Sequence, residues 1–113
     1  MGVGSPRAFN ELLIDAVDDV VTEILGKRGN SILWRHYQAF LGLTREEMPN
    51  QLPKLFSSLD SIFGVAGETV GERVIRKLYE KANVPLNYNS RRTPVEYAEE
   101  LKEILAKDTK HLG

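Results

Sequence analysis

Two glycines, Gly67 and Gly71, stand one turn apart on the apolar side of a helical segment running from about Ala66 to Ala82. On a wheel at about 100° per residue, Val70, Val74, Ile75, Leu78, Tyr79 and Ala82 share that side, while Arg73, Arg76, Lys77 and Glu80 share the other. A glycine in a helix interior costs about 1 kcal/mol relative to alanine, so two of them call for close backbone approach. With no side chain there, a neighbouring helix can lie at the short end of the interaxial range, about 8 Å. Glu68, Thr69, Glu72 and Arg73 rule out a lipid setting for this contact. The pair is expected to pack inside the domain, with a subunit seam as its other use.

The remaining punctuation is helical. Ser5-Pro6 reads as a cap followed by a first-position proline. From Arg7 to Leu25, the residues Phe9, Leu13, Ala16, Val17, Val20, Val21 and Ile24 fall together, flanked by Leu12, Ile14 and Leu25. That arc exceeds half the circumference, so this helix should meet more than one neighbour, and a second copy of the chain is a candidate. Gly26 reads as a left-handed cap, and Gly29-Asn30-Ser31 as the restart before a second helix from Ile32 to Leu41 with Leu33, Tyr37, Phe40 and Leu41 inward.

Thr44 to Glu47 fits a capping box that Met48-Pro49 cuts short, after which Asn50 caps a third helix to about Phe63. Leu52, Leu55, Phe56, Leu59, Ile62 and Phe63 form its stripe. Asn83 and Pro85 end the Ala66 to Ala82 helix, and a polar loop runs from Pro85 to Arg92. Thr93-Pro94-Val95-Glu96 then combines a threonine cap, a first-position proline and a reciprocal glutamate. Tyr97, Ala98, Leu101, Ile104 and Leu105 line the fifth helix, with fraying expected from Lys107. No alternating run or hairpin turn appears. The expectation is all-α: one domain over 1–113, a compact bundle of about five helices, with 1–5 and 107–113 flexible.

Composition narrows the function. The 113 residues fit one domain, and zero cysteines exclude disulfides, thiolate nucleophiles and cysteine-ligated metals. Fifteen Lys and Arg against sixteen Asp and Glu give a net charge of −1, which argues against nucleic-acid binding by overall charge. Apolar runs are too short for a membrane span or a secretory signal, so a cytoplasmic protein is expected.

Few side chains offer chemistry. Asp15 and Asp19, one turn apart beside Glu11 and Asp18, can share magnesium through oxygen ligands, against the alternative of a solvated acidic face. No phosphate-binding glycine loop accompanies them. His36 and His111 lack metal spacing, and His36 reads as a partly buried histidine. The serines lack the strand-elbow-helix setting of a hydrolase nucleophile. No catalytic constellation and no cofactor site emerges. Trp34, Tyr88, Arg91 and Arg92 remain as partner-binding candidates, since aromatic and arginine side chains anchor interfaces. Convergence of Lys27 and Arg28 with Arg91 and Arg92 would instead make a nucleic-acid surface.

Phe63-Gly64-Val65-Ala66-Gly67-Glu68, running into Val74-Ile75-Arg76-Lys77-Leu78-Tyr79 and followed by the Tyr97 to Leu105 helix, resembles the small all-helical archaeal domains of the Nitrosopumilus output domain family. The similarity spans roughly Ile24 to Leu105. It implies a signalling-output or interaction module and carries over no catalytic residue or cofactor. The expected function is a non-enzymatic helical interaction module that binds another protein or itself. Nucleic-acid binding and a metal-dependent enzyme built on Asp15 and Asp19 are the alternatives.

Overall fold

A computed structural model describes the backbone of residues 6–89 and 91–112, and side chains over 8–89 and 91–107. The elements run α1 (Pro6–Leu41), a 3-10 turn (Met48–Asn50), α2 (Leu52–Phe63), a second 3-10 turn (Gly64–Ala66), α3 (Gly67–Ala82) and α4 (Pro94–Leu112). No strand occurs among the described residues, so the fold is all-helical. The expected Ser5 cap lies outside the described residues. Lys107, where fraying was expected to begin, belongs to α4.

There are fewer separate helices than the five expected, because the first two form the continuous run α1. Straight, its 36 residues would span about 54 Å at 1.5 Å per residue, yet the molecule's longest dimension is 40 Å. The chain reverses at Gly26. Its φ of 81° and ψ of 173° lie in a region essentially reserved for glycine, so Gly26 is not the left-handed cap expected. Helical structure resumes at once at Lys27, five residues before the expected start at Ile32, and Gly29 closes against the end of the first limb. A Cβ on Gly29 would lie 2.3 Å from that of Leu25. The two limbs, 6–25 and 27–41, therefore form a helical hairpin inside one assigned element.

The first limb buries Phe9, Leu13, Ala16, Val17, Val20 and Val21 completely or nearly so, and α1 packs against both α3 and α4. Its wide apolar arc is thus largely covered within one chain. Ile24 and Leu25 at its end are not. The return limb contributes Leu33 and Tyr37, whose hydroxyl donates to the Leu55 carbonyl at 3.3 Å. Phe40, expected inward, is 75% exposed. The limb turns Leu33, Trp34, Tyr37 and Leu41 to the core and leaves Phe40 outside it.

Leu52, Leu55, Phe56 and Leu59 of α2 join Val70, Val74, Ile75, Leu78 and Tyr79 of α3 and Tyr97, Ala98, Leu101 and Leu105 of α4 in one core. Ile62, read as part of the α2 stripe, is 36% exposed at its end. Asn50 does not cap α2. It sits in the 3-10 turn, and Gln51 takes the cap position without a side-chain bond.

Gly67 opens α3 and does not lie in its interior. A Cβ there would fall 2.5 Å from the Asp60 Cα, so the backbones of α2 and α3 meet at this point. Gly71 faces other neighbours, with its Cβ position 3.3 Å from Pro94 Cγ and 3.6 Å from Phe56. Asn83 leaves α3 in the left-handed conformation, φ 60° and ψ 35°. At α4, Thr93 N–H donates to Glu96 Oε1 at 2.8 Å and Glu96 N–H to Thr93 Oγ1 at 3.2 Å, a complete capping box.

Candidate functional site

The polar side chains are mostly committed to one another. The Asp18 carboxylate accepts from Asn30 Nδ2 at 2.9 Å, from Trp34 Nε1 at 2.7 Å and from Arg45. Trp34 also stands edge-on to Tyr37 at 5.4 Å beneath the Arg45 guanidinium, which makes it a clasp across the α1 reversal. Asp19 pairs with Lys81 at 2.8 Å, and among the described residues no three His, Cys, Asp or Glu gather where they could hold a metal ion.

The loop before α4 is organised by Tyr97. Its hydroxyl meets the backbone of Asn89, and its ring stacks on Tyr88 at 4.8 Å. Arg92 lies 4.6 Å over the Tyr97 ring and pairs with Glu100 at 3.1 Å, while Arg76 lies 5.2 Å over Tyr88. Tyr79 donates to the Tyr97 carbonyl at 2.7 Å, and burial first, then the nearby Glu100 charge, pushes its phenol up to about 12.

Gly67, Gly71, Tyr88 and Arg92 line one groove of about 430 Å³ at the junction of α2, α3 and the loop. Trp34 and Arg91 are not part of its wall. Arg28 lines the cavity at the α1 reversal and Arg92 the groove at the α2–α3 junction, so the basic set expected of a nucleic-acid surface is divided between two places.

A second groove was not anticipated. Leu25, Ile32, Leu33, His36 and Ile62 line a cavity of about 390 Å³ between the α1 reversal and the end of α2, with Gly29 adding no side chain. Leu25 is 47% and Ile32 56% exposed, and the open Phe40 ring lies 4.5 Å from His36. Arg28 belongs to this wall, with Lys27 and Arg35 beside it, and none of the three is ion-paired among the described residues. Arg45, Arg73, Arg76, Lys77, Lys81 and Arg92 all have carboxylate partners. From Ile24 to Arg45 the chain contains no Asp or Glu, a sequence signal that marks this face.

Among the described residues, no helix is long and apolar enough to cross a membrane. Compared with protein-family models, curated proteins and solved structures, the chain finds no match.

Proposed function

We propose that this chain acts by binding another protein, without catalysis, through the apolar groove at the α1 reversal. The carrying observation is that Leu25, Ile32 and Ile62 stay open to water around one cavity and that, among the described residues, Ile24 and Phe40 of α1 are exposed too. Contiguous exposed apolar surface of this kind marks interaction sites. The alternative of a metal-dependent enzyme built on Asp15 and Asp19 is weakened because Asp19 already pairs with Lys81, and the neighbouring Asp18 accepts from Trp34.

Self-association is the narrower version of this reading. The arc on 6–25 that motivated it is taken up by α3 and α4, so a dimer would have to use the groove face. Two copies meeting there face to face would bring Lys27, Arg28 and Arg35 against their own counterparts, which opposes pairing. A signal-relaying role, as the family resemblance implies, fits a module that presents an open apolar groove to a partner.

Site-specific photo-crosslinking tests the proposal. A photoreactive residue replaces Ile32 in one variant and Glu103, on α4, in another, and each is expressed in the source cells. The expected result is a discrete protein adduct from position 32 and none from position 103, its mass separating a second copy from a different protein. No adduct from position 32 would contradict the reading.

A further inference from the structure

We infer that the occupant of this groove is an acidic amphipathic helix of a partner protein, an inference that rests on the binding reading above. The shape comes first. The apolar atoms form the concave wall of a cavity between two helices, about 390 Å³ in volume, with glycine at position 29 leaving its floor low. That is the form that takes a helix presenting apolar anchors at i, i+3 or i+4, and i+7. A flat bilayer cannot fill such a wall, and a nucleic-acid backbone has no use for its aliphatic lining.

Charge then selects the helix. The limb 27–41 carries Lys27, Arg28 and Arg35 with no acid, a net +3, while the remainder of the chain carries −4. The elements facing this limb supply no ion pair to any of the three among the described residues; Lys54, Arg91 and Lys102 also lack one there, but the limb 27–41 sets three such cations at an apolar cavity. Cations left unneutralised beside an apolar wall fit a ligand that brings both the acids and the anchors. Electrostatic complementarity of this kind sets orientation and partner choice.

Among the described residues, a second copy does not supply that ligand. The outer face of α4 offers Glu96, Glu99 and Glu103, but none of the exposed large apolar residues described lies on α4. Those residues are Ile24, Leu25, Ile32, Phe40, Ile62 and Val65, and all but Val65 belong to α1 or to the groove wall.

The test uses the whole chain, methyl-labelled for NMR, and three probes. Two are designed peptides of about 18 residues, or about five helical turns, with one leucine stripe and either glutamate or lysine on the polar face. The third is a phosphatidylglycerol vesicle. The glutamate peptide should shift the Leu25, Ile32 and Ile62 methyls, weaken with added salt, and bind about tenfold less tightly to the double variant Arg28→Glu, Arg35→Glu. Both positions are exposed, and an unchanged melting temperature shows that the variant is folded. The double variant should in turn favour the lysine peptide.

Equal binding of the two peptides to the native chain, or preference for the lysine peptide, would overturn the acidic partner and leave the docking face standing. Methyl shifts with vesicles and not with the glutamate peptide would overturn it in favour of an anionic membrane. Shifts with no probe would overturn it too, and only a missing crosslink from position 32 would then also remove the binding reading.

Discussion

The Trp34 indole donates to the Asp18 carboxylate at 2.7 Å, across sixteen residues that a straight helix would spread over about 24 Å. This bond ties the two limbs of α1 together, and the apolar groove exists because they fold back. With Asn30 and Arg45 also on Asp18, the carboxylate gathers three donors at the reversal. Asp18→Ala should lower unfolding free energy by about 2 kcal/mol, the scale of hydrogen bonds to a charged group, measured by urea unfolding. A loss under about 0.5 kcal/mol would mean that the limbs are held by apolar packing alone.

Gly26→Ala tests the reversal at the backbone. No neighbour lies within 4 Å of the added Cβ, so the penalty is conformational only. It should be about 1 to 3 kcal/mol in thermal or urea unfolding. A neutral or stabilised variant would show that the turn does not depend on glycine.

The two glycines of α3 should behave differently. Gly67→Ala drives a methyl into the Asp60 backbone, and separating α2 from α3 should cost about 1 to 3 kcal/mol. Gly71→Ala meets Pro94 at 3.3 Å but gains about 1 kcal/mol of helix propensity, so its net effect should be small. Equal losses at both positions would contradict this geometry.

Stability should fall at both ends of the pH scale. Hydrogen bonds from Thr44 and Thr93 hold Glu47 and Glu96 below the ordinary value of 4.5, so their contribution is present above 4.5 and is lost as pH drops through the folded-state values. Glu47→Gln with Glu96→Gln should flatten the acid limb of a melting-temperature profile. Tyr79 is displaced in the other direction, from 10.0 to about 12, so its contribution is full below 10.0 and disappears as pH rises toward 12. Tyr79→Phe should reduce the alkaline loss. Unchanged slopes in both variants would rule out these groups as the source.

The positions of α2, α3 and α4, the exit of α3 and the cap of α4 were legible because their signals are local, whereas the cap of α2 fell on Gln51 and not on Asn50. The stripe from Leu52 to Leu59, the left-handed Asn83 and the Thr93 to Glu96 box each act within a few residues. The apolar groove was not legible, because it depends on how Gly26 turns the chain. Leu25 and Ile62 share apolar stripes with core residues, and only the hairpin brings them beside Ile32 in the open. Trp34, Tyr88 and Arg92 stood out by residue type, yet a carboxylate, an aromatic stack and an ion pair engage them within the chain. The acid-free run from Ile24 to Arg45 was visible without coordinates, but it acquires meaning only when its cations prove unpaired.

Carbene footprinting of the purified chain and of the same chain in its own cells addresses the binding face most directly. Val65, which is fully exposed and not part of the groove wall, serves as the internal reference. Leu25, Ile32 and Ile62 should label readily when purified and lose most of that labelling in cells, while Val65 labels equally in both. Equal labelling of all four residues in both settings would contradict the proposal that this face holds a partner.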